Sequence, residues 1–531
     1  MQDILRHWLF RRGFYRATLR GAVPTTLAEI DLGTGQGDAA RGAIMAGGDL
    51  PFGGQRIAIA SGVWSTDDPA LRRHLHGFQW LDDIAANGDA EAWRRGRELV
   101  VSWLASENHW QSETWRADVL GSRLFRWLRH SRHLLTLDAG PSQAFLKSMA
   151  EQARHLVRVA DEPTGQTGGF AAARGLLGAG LVIPGLTRAR GRGQAALMAA
   201  IEHQVLADGG HISRSPAVQA RALRQLIDIR AMLKAAGEPV TGSLQNAIDR
   251  MAPVLRLWRH GDGGLALFNG AIVDDAAELE ALLADAVGPG RSIRNAPHLG
   301  FQRLKAGRTL LIVDAGAPAA AETTHAETTH AGTLSFEMSI GRDRLVVNCG
   351  ATPTGDPRWR NVLRATGAHS TLVLDETASM ALDGSGGTTP RRPRDVRAQR
   401  REIERNQLVE MRHDGYAASH GVIHHRDLYL AAGGDDVRGE DRLAGGDRPS
   451  PFAIRFHLHP GVRASAAESG SVLLRFGRSG GWRFRAAGAD LRLEESIYFG
   501  DGSRRNTRQI VLDARHDGAE TIVKWRFQKE N

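Results

Sequence analysis

The stretch HGDGGLALFNGA, residues 260–271, divides the chain into halves with different apolar periods. Upstream, apolar residues recur at helical spacing. In WRADVLGSRLFRWLRH (115–130), Leu120, Leu124, Trp127 and Leu128 fall at i, i+4, i+7 and i+8. Leu197, Ile201 and Val205 repeat the pattern in QAALMAAIEHQVL, as do Ala222, Leu226, Ile229 and Leu233 in ALRQLIDIRAML. Breaker-rich stretches at 161–169, 184–193 and 236–242 separate these segments. Ser215-Pro216 predicts an N-cap followed by a proline at the first helical position. Successive amphipathic helices with short connections predict paired hairpins, in a bundle or an α/α toroid. Periodicity does not choose between those two.

Downstream the texture changes to short runs between Gly- and Asp-rich turns: RLVVNCG, STLVLDE, DLYLAA, FAIRFHLH, SVLLRF, TIVKWRF. Many alternate with period two. Ile454, Phe456 and Leu458 oppose Arg455, His457 and His459, and Val523, Trp525 and Phe527 oppose Lys524 and Arg526. Such runs predict a β-sandwich or a similar multi-stranded sheet. Helices first and strands second, segregated, predict two domains.

Composition narrows the function classes. The 531 residues are 42% hydrophobic and 24% charged, ordinary for a soluble globular protein of two or three domains. Lys and Arg number 68 against 59 Asp and Glu, a formal charge of +9. That field favours an anionic partner, unless it only reflects an arginine-rich composition. A single cysteine, Cys349, excludes an intramolecular disulfide framework. No run approaches the ~20 apolar residues of a membrane span. The opening MQDILRHWLFRRGFYRATLRGAVP lacks the apolar core and cleavage site of a secretory signal, so the expected location is cytoplasmic. Ile4, Leu5, Trp8 and Leu9, interleaved with Arg6, Arg11 and Arg12, predict an amphipathic helix packed on the next domain. The tandem ETTHA copies at 322–326 and 327–331 read as a loop, and PRRPRDVRAQRREIER (390–405) as a solvated linker or edge strand.

No GxGxxG, P-loop, HExxH or CxxC is present, which sets aside nucleotide folds and zinc proteases. No aromatic-basic motif supports nucleic-acid binding. The 21 histidines stand out. In DGGHISRSP (208–216), His211 and Arg214 occupy a loop that feeds a helix N-terminus, a setting that suits a carboxylate or else a plain structural turn. His330 and His369 lie on different strands, and histidines from neighbouring strands can share a metal. His457 and His459, sharing a face with Arg455, read as a polar solvent-facing side. Asp82 and Asp83 in FQWLDDIAANGD are the weakest catalytic pair, since adjacent carboxylates do not normally flank one bond at the ~5–9 Å that glycoside hydrolysis requires.

The run THAGTLSFEMS, then VVNCG, WRNVLRATGAHSTLVLDE, GY, HHRDLYL and GEDRL resembles the C-terminal sheet domain of heparinase II/III-like polysaccharide lyases. WRADVLGSRLFRWL and DGGHISRSPAVQARALRQL resemble their helical half, in collinear order from roughly residue 75 to 525. The resemblance implies an α+β multidomain protein of bacterial origin, with an N-terminal incomplete α/α toroid followed by a C-terminal antiparallel β-sandwich. The expected domains are an N-terminal helical extension (1–70), the toroid-like domain (71–265) and the sandwich (266–531). The implied chemistry is β-elimination on a uronic acid of an acidic polysaccharide or oligosaccharide. The family's usual location, periplasm or cell envelope, stands as the alternative to the cytoplasm.

β-Elimination needs a group to neutralise the carboxylate, a base for the C5 proton and an acid for the leaving oxygen. The resemblance assigns His211, Arg214, Tyr416 and His369 as catalytic candidates, and Arg364, Trp359 and His424 as substrate-binding ones. It places a possible structural Zn2+ on His330, Asn348 and His369, where Asn348 stands for an aspartate of the family. The chain also departs from the pattern. Val218-Gln219 replaces the Tyr-His pair of the lyases, TGGFAAARG (167–175) lacks their Asn and His, and no Tyr lies between residues 16 and 415. Tyr416 is therefore the expected replacement phenol. Two readings follow: an active lyase, or a degenerate acidic-glycan-binding or scaffold protein that keeps the fold.

Overall fold

The computed structural model describes residue 6 and residues 8–530, apart from 34, 61, 137–138, 163, 274, 288–289, 291, 320–327, 353–356, 383–390, 468–469 and 478–479. The first ETTHA copy and the start of the second lie outside the described residues. The chain divides into two compact units, 1–205 with 221–248, and 206–220 with 249–531. No described helix is long and apolar enough to cross a membrane.

The first unit is the incomplete α/α toroid. Its helices include Trp80–Asn87, Ala90–Ser106, Ala117–Arg129, Ala139–Val159, Gly168–Val182 and Thr187–Gln204. Asp68 and Asp89 start two helices by accepting backbone N–H groups of Ala70, Leu71, Glu91 and Ala92. Helix Gly168–Val182 is buried along almost its whole length. Here the Gly- and Ala-rich segment that stands where the lyases carry Asn and His has a packing explanation. A Cβ on Gly175 would lie 2.6 Å from Gly121 Cα, and one on Gly121 would lie 2.3 Å from Ala171 O. The two helices cross backbone to backbone, and small residues permit it.

Charges buried in this unit are spent internally. Arg123 donates to Gln152 Oε1, His76 O and Thr114 O at 2.7–3.1 Å, with its guanidinium over Trp103. Asp82 accepts from Arg126 at 2.7 Å and His130 at 2.9 Å, while Asp83 accepts from the Asp38 backbone at 2.8 Å. This removes the Asp82–Asp83 hydrolase pair, because both carboxylates are structural. The stretch 1–70 is not simply helical. Asp49–Phe52 and Gln55–Ala58 form a hairpin whose turn residues, Gly53 and Gly54, have φ of +58° and +78°. Paired glycines of that conformation favour a two-residue hairpin turn over a helix. Tyr15 is buried and meets His155 Nδ1 at 2.5 Å.

The second unit is the antiparallel β-sandwich. One sheet runs in the order Arg463–Ala467, Ser471–Arg475, Gly481–Ala487, Glu520–Lys529, Asp436–Gly445, Val422–Leu430, Asn406–Tyr416, Val396–Ile403. The other contains nine strands, from Asp490–Tyr498 through Arg505–His516, Ser450–Leu458 and Phe336–Ile340 to Asn295–Ala296. Alternation decides which side chains face inward. Val523, Trp525 and Phe527 meet Phe336 and Phe456 in the core, with the Phe336 and Trp525 rings stacked at 5.6 Å. The arginine-rich 390–405 segment supplies the expected edge strand, Val396–Ile403, mostly exposed. The expected solvent face of His457 is corrected: His457 is buried and bonded to Gly367 O and Ser496 Oγ, because its strand is central in the nine-stranded sheet. Helices Ala276–Val287 and Pro357–Arg364, and the short helix Ala417–His420, escaped the strand reading of this half.

The boundary expected at 265/266 is also more complicated than the period switch. Loop 206–215 and the end of helix Gly242–Leu257 group with the sheets. Asp208 accepts from His298 N and Leu299 N, and Arg214 donates to Leu299 O, all at 2.8 Å. Helix Pro216–Ala235 begins where Ser215-Pro216 predicts, yet Ser215 Oγ makes no capping bond.

Candidate functional site

The candidate site lies in the second unit and is built on loop 206–215. Gly209 (φ +89°) turns it where a Cβ would strike Arg250 O at 2.2 Å. Arg214, also left-handed at φ +57°, aims its guanidinium at the Asp314 carboxylate and sits over the Phe301 ring. Asn269 donates to Arg214 O at 2.9 Å and accepts from His330 N at 3.2 Å. His330 in turn meets His369 Nε2 through its Nδ1 at 3.1 Å, and His369 Nδ1 donates to Ala365 O at 2.8 Å. Asp314, Arg214, Asn269, His330 and His369 thus form one continuous buried network.

The protonation states follow from the partners. Ala365 O can only accept, so His369 Nδ1 carries its hydrogen. Burial pushes the His369 pKa down to about 4, leaving Nε2 as the acceptor for His330 Nδ1–H. Burial, with His369 beside it, also holds His330 well below the usual histidine range. His211 Nδ1 accepts from Ser213 N–H at 3.1 Å, so that nitrogen is unprotonated, and the side chain is fully buried. To act as a base through Nδ1, His211 must first surrender that bond.

His330 and His369 therefore converge, though from loops rather than from the expected strands, and the proposed zinc set does not fit. Asn348 Oδ1 accepts Ser370 N–H at 3.0 Å, leaving an NH2 group that is a donor rather than a ligand. No three His, Cys, Asp or Glu among the described residues could hold a metal together. Cys349 contacts His457 instead, and burial pushes its thiol up to about 12.

Other expected residues fall elsewhere. Tyr416 is corrected from catalyst to core residue: it is fully buried among the sandwich side chains and donates to Leu372 O at 2.8 Å. Burial raises its pKa, the opposite of what a phenolic base needs. His424 is corrected from substrate contact to interior residue, held between His413 and Asp441 at 3.1 and 2.7 Å. Arg364 is buried and donates to Thr329 O, which steadies the segment before His330. Trp359 is half-buried against Phe499, with Arg504 over its ring.

Sequence reasoning missed Asn269, Asp314 and the role of Gln219. Asn269-Gly270 signalled a turn, but no local pattern tied it to Arg214. Gln219, standing in the Tyr-His position of the lyases, is completely used: Oε1 accepts His211 N–H at 2.6 Å, and Nε2 donates to Gly209 O and Met251 O. Val218 beside it is fully buried.

Comparison with known proteins agrees with this architecture. Residues 57–277 match the model of the heparinase II/III N-terminus, and 288–526 match the heparinase II/III-like C-terminal domain. FtsZ-localized protein C of Caulobacter vibrioides is 31% identical over 517 residues, covering 90% of this chain and 86% of that protein. Among solved structures, heparinase III aligns with a TM-score of 0.76 at 14% identity, over 97% of this chain and 89% of that one. Heparan sulfate lyase HepC of Pedobacter heparinus aligns at 0.61 and 17%, over 97% and 87%. Streptomyces coelicolor chondroitin AC lyase in complex with chondroitin sulphate aligns at 0.58 and 13%, over 92% and 78%. These low identities speak for the fold alone. With both domain models matched and a curated relative aligned along nearly its whole length, the chain belongs to the heparinase II/III-like family.

Proposed function

We propose that this protein is a catalytically silent member of the family, an acidic-glycan-binding or scaffold protein that keeps the lyase fold. One observation carries the reading: where the lyases present a Tyr-His pair, a buried Val218 and a fully hydrogen-bonded Gln219 stand instead. The surrounding groups are committed too. Arg214 is neutralised by Asp314, His211 Nδ1 is occupied by Ser213 N–H, and His330 and His369 are paired with each other. Removing a C5 proton needs a base and a carboxylate partner that are ready to act, and here each would first break a buried bond. The net charge of +9 suits a polyanionic partner.

The kinship with an FtsZ-localized protein supports work at the division site, where a binding module with a lyase fold would serve without turnover. The test combines two measurements on the full chain. Ultraviolet absorbance should show no unsaturated uronate across a panel of acidic glycans, while calorimetry detects binding to at least one. Product formation with any glycan refutes the silent reading and restores the lyase. A fluorescent fusion that fails to follow FtsZ refutes the proposed place of work.

A further inference from the structure

The outer face of the eight-stranded sheet is unusually patterned. Tyr429, Arg438, Arg526 and Arg485 are directly paired across four adjacent strands, so three arginines stand in one row. Like charges directly opposite one another destabilise a sheet unless something neutralises them. Asp436 does so in part, accepting from Arg438 Nε at 2.8 Å and from Arg526 Nε and Nη2 at 2.6 and 3.0 Å. One carboxylate thus serves two guanidiniums. Arg438 is further fixed over the Tyr429 ring at 5.3 Å. Arg485 is exposed and pairs with no carboxylate among the described residues.

One row further along the strands, roughly 7 Å away, Asp427, Glu440 and Lys524 are paired in the same way. Lys524 reaches Glu440 at 3.5 Å. Both rows, with Leu408 and the Ala486-Ala487 pair, line a cavity of about 540 Å³. That volume falls among clefts that hold small ligands, roughly 300–1,000 Å³.

We propose that this cavity binds an acidic saccharide, a deeper form of the glycan-binding reading on which it rests. Arg438 and Arg526 supply planar donors held in place by Asp436 before the ligand arrives, and Arg485 adds an exposed guanidinium beside them, an arrangement suited to carboxylate or sulfate. In the second row the Asp427 and Glu440 carboxylates are acceptor-only, so they repel a second anion but receive hydroxyl groups, while Lys524 is paired with Glu440. A ligand with an acid group and hydroxyls about one row apart satisfies both. A bare polyanion or an acidic peptide satisfies only the first.

The test is calorimetric titration of the full chain with size-defined chondroitin sulfate and oligogalacturonate, beside a polyglutamate peptide of equal charge. Arg485→Glu should weaken oligosaccharide binding at least tenfold with an unchanged melting temperature, and Arg485→Ala should weaken it less. Asp427→Asn with Glu440→Gln should weaken oligosaccharide binding and strengthen polyglutamate binding. Unchanged oligosaccharide affinity in Arg485→Glu overturns the location while leaving glycan binding intact. No oligosaccharide binding by the unaltered chain overturns the underlying reading as well. Polyglutamate bound as tightly as the oligosaccharide, and competing with it, replaces the saccharide by a peptide.

Discussion

Tyr416→Phe separates a structural phenol from a catalytic one. The substitution removes a single oxygen and keeps the ring, so packing against the sandwich core is preserved. What it removes is the 2.8 Å bond to Leu372 O, between two residues that are almost completely buried. A net hydrogen bond is worth about 1 kcal/mol, and a carbonyl left bare in the interior raises the cost toward 3. Leu372 also pairs with Ile454 in the sheet, which keeps the expected loss in the lower part of that range, about 1–2 kcal/mol. For a unit of this size each kcal/mol moves the melting temperature by about 2–4 °C. Calorimetric melting of the variant should therefore shift downward by roughly 2–8 °C, with glycan affinity unchanged when measured well below the transition. An unchanged melting temperature together with lost glycan binding would refute the reasoning and return Tyr416 to the site.

Arg214→Ala strands a buried Asp314 carboxylate and should cost about 3–5 kcal/mol. Adding Asp314→Asn should recover part of that loss in urea unfolding, and a double variant no more stable than the single one would show that the pair is not coupled. The buried histidines set a pH dependence. Burial lowers His369 from 6.5 to about 4 and His457 to about 3, so on acidification the unfolded chain takes up protons first. Stability should fall as pH drops below 6.5, levelling for His369 near 4, with His369 contributing up to about 3 kcal/mol. Urea midpoints that rise between pH 6.5 and 4.5 would contradict this. Asn348→Asp should restore the carboxylate that the family resemblance groups with His330 and His369. Added zinc should then raise the melting temperature of that variant and leave the unaltered chain where it was; an equal rise in both would mean the native set already holds metal.

The two halves were legible because each period is a local property. A helix buries one face every 3.6 residues and a strand every two, and Leu120, Leu124 and Leu128, or Val523, Trp525 and Phe527, carry that signal among near neighbours in sequence. The expected helical extension missed the Gly53-Gly54 hairpin, and the strand reading missed the helix Ala276–Val287. The loss of the Tyr-His pair was likewise visible in Val218-Gln219 alone. Whether a remaining polar side chain was free or spent was not visible. Arg214 meets Asp314 across 100 positions, Tyr416 finds Leu372 O across 44, and His330 meets His369 across 39. The arginine row on the outer sheet likewise exists only through the register of strands from distant parts of the chain. Availability for chemistry depends on desolvation and on partners brought together by packing, and neither is a property of neighbours along the sequence.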